Sequence, residues 1–255
     1  MDRNMLINFC GAERNPNRIE ALASVALMQG VKQESLQMLA AASHQQRIAA
    51  NVNVFECGES PAGSYLVLDG MVALLAPDLS GRMHIVELFG PGRLFGDSGL
   101  IWGDAYGVSA KTIKPCRLMR IPPVTLREVM QIDTTFRDRV LQENALRIRS
   151  LLQRVGYFAT DSSLARVAAY LSNLQPSFFC GKEYVEIPAP KRMIASLLNM
   201  SSESFSRALK SLKEDRLIIV SNAKVFILCR AGLCSKFQST KKTDHSCAPN
   251  PLPIA

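Results

Sequence analysis

Residues 189–216 read APKRMIASLLNMSSESFSRALKSLKEDR, and this stretch indicates the fold class. Proline suits the first turn of a helix because the N–H group that it lacks has no partner there, so Pro190 begins a short helix that reaches about Leu198. Asn199 tolerates the left-handed backbone of a tight turn better than most residues. Ser201 is a good N-cap for a second helix. The stretch therefore predicts a helix-turn-helix.

The second helix has two distinct faces. Its apolar residues recur at three- and four-residue steps and should face a core: Phe205, Ala208, Leu209 and Leu212. The other face carries an acceptor, a hydroxyl and three cations: Glu203, Ser206, Arg207, Lys210 and Lys213. Phosphate binding needs positive charge, and base reading needs an arginine fork with an acceptor or hydroxyl near the helix N-terminus. A solvated helix face, with Glu203 at the positive end of the helix dipole, is the alternative interpretation.

A hairpin pattern follows the two helices. Leu217–Val220 and Val225–Cys229 are β-type runs, and a turn at Ser221–Ala223 separates them. Two helices around a tight turn before such a hairpin are typical of a winged helix-turn-helix, so we predict DNA binding. The residues that we expect at the DNA are Lys191, Ser201, Ser202, Glu203, Ser206, Arg207 and Lys210.

The region upstream has a different pattern. From Ile48 to Ile121, short β-type runs such as Tyr65–Leu68 and His84–Leu88 alternate with glycines. Glycine supplies the positive φ angles that tight turns require, and many short strands predict an antiparallel barrel or roll. Two short helical patterns, at Ile19–Gln29 and Lys32–Ser43, precede this region.

A long helical pattern follows the β region and runs from about Ile132 to Phe158. A helix of this length, roughly 37 Å at 1.5 Å per residue, overhangs a small barrel. We therefore expect a dimer seam rather than a helix that packs only on its own barrel. The expected seam residues are Phe136, Val140, Asn144, Ile148, Leu151, Val155 and Phe158.

Charge and composition limit the class of function. The formal charge of +8 favours polyanionic partners. The apolar runs are too short to span a bilayer and the N-terminus shows no signal peptide, so we expect a cytoplasmic protein without membrane contact. P-loop, H-E-x-x-H and G-x-S-x-G motifs are absent, which argues against an enzyme. A sensor module that does not bind DNA is a further class, and the winged pattern argues against it.

The cysteines do not form a recognisable framework. There are seven of them, an odd number, and none form a C-x-x-C pair. In a cytoplasmic chain this argues against a disulfide framework and a zinc ribbon. Cys10, Cys57 and Cys180 are candidates for a redox switch, although nothing near them in the sequence indicates a lowered thiol pKa.

From residue 27 to residue 230 the chain resembles the cyclic-AMP receptor protein/FNR (CRP/FNR) superfamily of transcription regulators. The markers are Tyr65–Gly70, Gly92–Asp97, Cys116 before Leu118–Ile121, the long helix and the winged pattern. The resemblance implies an α+β fold: an N-terminal antiparallel β-roll like a cyclic-nucleotide-binding domain, a long dimerisation helix and a C-terminal winged helix-turn-helix. We assign residues 19–131 to the β-roll sensor, 132–160 to the dimerisation helix, 161–233 to the DNA-binding domain and 234–255 to a disordered tail.

The resemblance extends to the DNA-reading residues. Glu203-x-x-Ser206-Arg207 resembles the FNR-type reading motif, which implies a palindrome with TTGAT-like half-sites. Arg207 would donate to guanine, Glu203 would accept from a cytosine amino group, and Ser206 would contact a neighbouring base. A homodimer would read half-sites about 10 bp apart. RNA polymerase and an unknown small-molecule effector are the other implied partners.

The sensor departs from two patterns of that family. Members that bind cyclic AMP hold its phosphate with an Arg-Ser pair, whereas the aligned stretch here begins with Asp104, whose carboxylate would repel a phosphate. Members that hold an iron–sulfur cluster use clustered N-terminal cysteines with one in the barrel, whereas here Cys10 stands alone with Cys116. We therefore expect neither cyclic AMP nor a 4Fe–4S cluster.

The effector itself remains open at this point. The residues that we expect around it are Gly96, Asp97, Ser98, Tyr106 and Asn144. A haem-based gas or redox sensor is an alternative within the same family. His84 and Cys57 are the candidates for its iron ligands, although a lone histidine on a strand is more often a surface or packed residue.

Overall fold

A computed structural model describes residues 18–78, 81–97, 105–158 and 162–238. The chain divides into two compact units, Met1–Ile148 and Arg149–Ala255. Among the described residues of the first unit, two short α-helices, with a 3-10 turn (Ala26–Met28) between them, precede eight strands and two further α-helices. The helices are α1 (Arg18–Ala23), α2 (Gln33–Ala42), α3 (Pro123–Ile132) and α4 (Thr134–Phe158), the last of which continues into the second unit.

The strands of the first unit form two four-stranded antiparallel sheets, ordered β1-β8-β3-β6 and β2-β7-β4-β5. Successive strands alternate between the two sheets except for β4 and β5, which pair within one sheet; this is the topology of a roll, as the pattern of short strands and glycines predicts. Their bounds are β1 (His44–Ile48), β2 (Asn53–Phe55), β3 (Ser64–Asp69), β4 (Val72–Pro77), β5 (Met83–Phe89), β6 (Leu94–Phe95), β7 (Ser109–Thr112) and β8 (Cys116–Ile121).

Strand β3 is buried on both faces and separates two apolar cores. Tyr65 and Val67 point into the roll, where they pack with Phe55, Phe89 and Phe95. The alternate residue of the strand, Leu66, belongs to the core that the helices form against the roll. This is why the run at β3 is continuously apolar rather than alternating in polarity.

A glycine makes the turn between β3 and β4 possible. Gly70 has φ +93°, and a Cβ at this position would lie 2.4 Å from the carbonyl oxygen of Pro115. Any side chain would therefore meet both backbone strain and a steric clash.

Within the described ranges, no helix is long and apolar enough to cross a membrane.

Asp133 separates α3 from α4 and is fully buried. Its Oδ1 accepts the N–H of Phe136 at 3.1 Å, and its Oδ2 accepts the N–H of Lys32 at 2.9 Å. One carboxylate therefore caps the long helix and also holds the residue before α2.

The second unit is a helical domain with a four-stranded sheet, ordered β11-β12-β10-β9. Helix α5 packs against α7 and α8. Its elements are α5 (Ser163–Asn173), β9 (Ser177–Phe179), β10 (Lys182–Glu186), α6 (Lys191–Leu197), α7 (Ser202–Glu214), β11 (Ile218–Ser221), β12 (Lys224–Ile227) and α8 (Arg230–Gln238).

Two expectations change in this unit. We expected a disordered tail from residue 234, but α8 continues to Gln238 because Leu233 and Cys234 are buried in the domain. The rest of that tail lies outside the described residues. The hairpin β9–β10 was not anticipated, although its turn carries a signal: Cys180 and Gly181 both have positive φ, +48° and +72°, as a two-residue hairpin turn requires.

Candidate nucleic-acid interface

The helix-turn-helix forms as its sequence indicates. Helix α6 ends at Leu197, and Asn199 adopts φ +50° in the turn that follows. Ser201 caps α7, since its hydroxyl accepts the N–H of Ser204 at 3.0 Å. Helix α6 begins one residue later than expected, because Pro190 is its N-cap rather than its first residue.

Helix α7 buries one face and exposes the other. Its buried residues are Phe205, Ala208, Leu209 and Leu212, as the spacing predicts. Every candidate DNA contact is exposed: Lys191, Ser201, Ser202, Glu203, Ser206, Arg207 and Lys210. Within the described part of the chain, Glu203 and Arg207 form no hydrogen bond or ion pair, whereas Lys210 lies 3.8 Å from Glu214. The first turns of α7 thus present an unpaired carboxylate and an unpaired guanidinium to solvent.

An open groove of about 250 Å³ runs beside the reading face. Arg207 lines it, together with Ser204 and Ser211 of α7 and the first residues of α5, Ser163 and Leu164. Hydroxyls and a guanidinium around an open groove are the groups that bind a phosphate backbone.

The wing contributes a cation that sequence reasoning did not select. Strands β11 and β12 pair in register, and Asn222 adopts φ +54° in the turn that joins them. Lys224 follows that turn and is exposed, with its ammonium 4.8 Å from the ring centre of Tyr184. The sequence carried one signal for this contact, since Lys224 is a basic residue directly after the predicted turn.

The expected effector residues of the sensor fall in two separate places. Tyr106 is 3% exposed and stacks on Phe55 inside the roll, with ring centres 3.7 Å apart. A Cβ on Gly96 would lie 3.3 Å from that same Phe55 ring, so Gly96 also borders the aromatic interior. Asp97 and Asn144 instead meet where the roll contacts α4, and Ser98 lies outside the described residues.

The roll interior is filled by this chain's own aromatic rings. Phe55, Tyr65, Phe89, Phe95 and Tyr106 form a continuous cluster with neighbouring ring centres at most 6.0 Å apart. The Tyr106 hydroxyl donates to the carbonyl of Gly63 at 2.7 Å. Burial raises the pKa of both Tyr65 and Tyr106 and so favours the neutral form of both phenols.

A network of charged groups fills the contact between the roll and α4; we call it the junction network. The Arg147 guanidinium donates to Glu87 at 2.6 Å and lies 3.5 Å from Asp97. Asn144 donates to Asp97 at 3.0 Å. The members of the network are Glu87, Arg93, Asp97, Glu143, Asn144 and Arg147.

The junction network encloses little free space, and its carboxylates outnumber its guanidiniums. The cavity among its residues is only about 10 Å³, close to the room that a single water needs. Arg93 pairs with Glu143, yet burial, together with the neighbouring Asp97 and Glu87, raises the pKa of the Glu143 carboxyl above its ordinary value despite Arg93. The three carboxylates outnumber the two guanidiniums.

The expected dimer seam is wrong in its first half. Phe136 and Val140 are buried within the first unit, and Asn144 bonds to Asp97 rather than lying in a seam. The reason is helical phase: three successive four-residue steps, from 136 to 148, turn the face by about 120° at 3.6 residues per turn. One exposed apolar row consists of Leu141, Ala145, Ile148, Leu152 and Val155, at alternating four- and three-residue steps. The expected Leu151 is also exposed but lies beside this row, and the exposed Leu146 lies on another side of the helix. The side chain of Phe158 lies outside the described residues.

The two haem-ligand candidates belong to opposite edges of one sheet. Cys57 follows β2 and His84 lies on β5, which are the outer strands of the β2-β7-β4-β5 sheet, about 14 Å apart at strand spacing. His84 bonds to Asp78 at 2.8 Å. They cannot ligate one iron together, and no group of three metal-binding side chains occurs in the described ranges.

Comparison with known protein families identifies a domain in each half of the chain. Residues 45–133 match the family model of the cyclic nucleotide-binding domain, and residues 165–236 match that of the Crp-like helix-turn-helix domain. These matches confirm the expected fold class and the resemblance on which the sequence interpretation rested.

Two proteins described as transcriptional regulators are similar to this chain over most of its length. The cAMP-activated global transcriptional regulator Vfr of Pseudomonas aeruginosa is 26% identical over 211 residues, which are 80% of this chain and 98% of Vfr. The probable transcriptional regulator flp of Lacticaseibacillus casei is 24% identical, over 81% of this chain and 93% of that protein. These relatives are regulators rather than enzymes.

Solved structures show the same fold. FixK2 from Bradyrhizobium japonicum superposes with a TM-score of 0.64 at 20% identity, covering 76% of this chain and 96% of FixK2. The c-di-GMP responsive global regulator CLP of Xanthomonas campestris has a TM-score of 0.56 at 25% identity, covering 77% of this chain and 99% of CLP.

Proposed function

Because the chain belongs to the CRP/FNR superfamily of transcription regulators, we propose that it acts as a homodimer on a palindrome with TTGAT-like half-sites. The observation that carries this proposal is the exposed face of α7. Glu203, Ser206 and Arg207 share that face just after a capped N-terminus, and the described structure offers Glu203 and Arg207 no partner.

Each reading residue has a role that its chemistry supports. The Arg207 guanidinium can donate two parallel hydrogen bonds to O6 and N7 of guanine, and the Glu203 carboxylate can accept from the amino group of cytosine. Ser206 contacts a neighbouring base. Lys191, Lys210 and the hydroxyls of Ser201 and Ser202 hold the DNA backbone and so set the position of α7 in the major groove.

The exposed row on α4 supports the homodimer. Leu141, Ala145, Ile148, Leu152 and Val155 follow heptad spacing, as two supercoiled helices require. An apolar row of this length is unfavourable in water unless a second copy covers it. The two-fold dimer then holds its recognition helices about 10 bp apart along the DNA.

Two features of the described sensor support an effector other than a cyclic nucleotide. The cavity in the junction network is only about 10 Å³, and the carboxylates beside it, which outnumber the guanidiniums, disfavour a phosphate. Vfr is described as cAMP-activated and CLP as c-di-GMP responsive, but the effector that we propose here is neither cyclic AMP nor a 4Fe–4S cluster. Cys116, the barrel cysteine, bonds to the backbone of Met71, and burial raises the pKa of its thiol.

The junction network is the place where an effector would act on the DNA-binding output. Its residues join strands of the roll to α4, the helix that carries the proposed dimer row. A ligand that alters these bonds shifts the dimer helices and thereby the spacing of the two recognition helices. In the cytoplasm, RNA polymerase is the further partner through which such a dimer would act.

The experiment that tests the proposal selects DNA with the wild-type chain. A random duplex pool is enriched by binding, and the selected sequence should contain two TTGAT-like half-sites. Arg207→Ala should then weaken specific binding about 5- to 150-fold, since a bidentate base contact contributes about 1–3 kcal/mol. Glu203→Ala should relax the base preference at one position. Gln175→Ala, at an exposed position between α5 and β9, is the control, and an unchanged affinity for both reading variants would refute the assignment.

A further inference from the structure

Arg166 of α5 reaches the turn of the helix-turn-helix from outside it. Its Nη1 donates to the carbonyl oxygen of Leu198 at 3.2 Å and to that of Asn199 at 3.0 Å. These two carbonyls lie on either side of the residue with φ +50°. One guanidinium nitrogen therefore spans the backbone position at which the chain changes direction between α6 and α7.

The position of the two carbonyls at the end of α6 explains why they require a hydrogen-bond donor from outside the helix. The last carbonyls of a helix have no partner within the helix, and the helix dipole makes that end negative. A cationic donor at this end both hydrogen-bonds the carbonyls and interacts favourably with the helix dipole. Within the described residues Arg166 forms no ion pair, so its charge is directed at the turn rather than at a carboxylate. Its Nε is buried without a partner, which leaves Nη1 as the bonding atom.

We propose that Arg166 is a positioning residue for DNA reading: by holding the carbonyls of Leu198 and Asn199, it sets the angle at which α7 leaves the turn. A non-glycine residue in the left-handed region costs free energy and persists only where its surroundings hold it. Without the clamp, the turn can relax and the first turn of α7, which carries Glu203 and Arg207, moves with it.

Arg166 also connects this turn to the start of α5. Its own N–H bonds to the carbonyl of Ser162, the N-cap of α5, so it lies in the first turn of the helix that follows α4 in the chain. A displacement of the first turn of α5 would therefore be transmitted to α7, the recognition helix, through the side chain of Arg166. This inference rests on the proposed DNA-reading function but makes a separate structural claim.

The test compares Arg166→Met, which keeps the length of the side chain without its donors, with Arg166→Lys, which can hold one carbonyl. The control is Arg230→Met. Arg230 likewise donates to a backbone carbonyl, that of Ser172, at 3.2 Å in the same unit, but it is not part of the helix-turn-helix. Arg230 also forms an ion pair with Glu183, so this variant perturbs the same unit at a place away from the turn. Binding is measured on the site that the wild-type chain selects from random DNA and on unrelated DNA, over a range of salt concentrations.

We expect Arg166→Met to weaken specific binding about tenfold while binding to unrelated DNA changes less than about twofold. The slope of log affinity against log salt should stay within about half a unit, because no phosphate contact is lost. Arg166→Lys should fall between the wild type and Arg166→Met, and Arg230→Met should leave the specificity ratio unchanged. If Arg166→Met fails to fold, Arg166→Lys decides the outcome by the same criteria.

Two results would overturn the proposal. A slope reduced by about 0.9 with equal losses on all DNA would make Arg166 a direct phosphate contact. A lower melting temperature with an unchanged specificity ratio would make it a structural residue only. Amide hydrogen exchange in residues 198–201 gives a readout without DNA: faster exchange in Arg166→Met than in Arg230→Met supports the clamp, and equal exchange refutes it. If the wild type selects no sequence, the proposed function fails, and the exchange measurement still decides about the clamp.

Discussion

The carboxylate of Asp133 permits a quantitative test of how the first unit is held together. The side chain is fully buried and accepts two backbone N–H groups, that of Phe136 in α4 and that of Lys32 before α2. Asp133→Ala removes the N-cap of α4, which costs about 1 kcal/mol. It also leaves the N–H of Lys32 without a partner, which costs about 1–2 kcal/mol more. We expect the free energy of unfolding of this unit to fall by about 2–3 kcal/mol.

The pH dependence provides an independent check on the same group. Burial by itself would raise the pKa of Asp133, but hydrogen bonds from Lys32, Phe136 and Ser35, with the Lys32 charge, outweigh it and hold the pKa below its ordinary value. A group with a lowered folded-state pKa stabilises the fold fully above its unfolded pKa, about 3.9, and loses this contribution as the pH falls through the folded value. The advantage of the wild type over Asp133→Asn should therefore shrink below about pH 4.

Urea denaturation followed by circular dichroism measures both effects, with the transition of the first unit separated from that of the second. Asp138→Asn is the control, because its carboxyl is exposed on the same helix, with 69% of the side chain accessible. A loss below about 1 kcal/mol for Asp133→Ala, or a wild-type advantage over Asp133→Asn that does not change between pH 7 and pH 3, would contradict this account of the cap.

Two further predictions concern the helices. Ile148→Asp should convert the dimer to a monomer in light scattering, because it places a charge in the apolar row; Leu146→Asp, exposed on another side of the same helix, should leave the dimer intact. Arg216 lies two residues beyond the end of α7 and has φ +56°, so Arg216→Gly should stabilise the second unit by about 0.5–1 kcal/mol, since relief of left-handed strain exceeds the added freedom of the unfolded chain. Arg192→Gly, at an exposed helical position, should instead lower the urea midpoint, and a loss of stability in Arg216→Gly would show that the strain argument is wrong.

The features that the sequence predicted correctly depend on local spacing. The cap at Ser201, the turn at Asn199 and the buried face of α7 all follow from residues a few positions apart. Such features are readable because the hydrogen bonds of a helix set its rotation per residue, wherever the helix lies in the fold. The β-roll was predictable in kind for a similar reason, since its tight turns need glycine at positions such as Gly70.

The features that sequence reasoning missed depend on partners far apart in the chain. Helix α4 carries apolar residues on more than one face, and only the packing of Phe136 and Val140 against the roll shows which of them remain exposed. The effector candidates were expected around a single effector. Packing instead separates Tyr106, inside the aromatic interior, from Asp97, which bonds to Asn144 of the long helix.

The sequence by itself therefore determined the DNA-reading helix, its cap and its exposed stripe, because these are properties of one segment and its helical period. Only the tertiary structure decided the face available for a second copy, the filling of the roll by its own aromatic rings, and the hold of Arg166 on the turn between α6 and α7. Arg166 and Asn199 are 33 positions apart, and no local periodicity brings such a pair together. Their contact exists because α5 and the helix-turn-helix share one buried core, and burial of that core is a cooperative property of the folded domain.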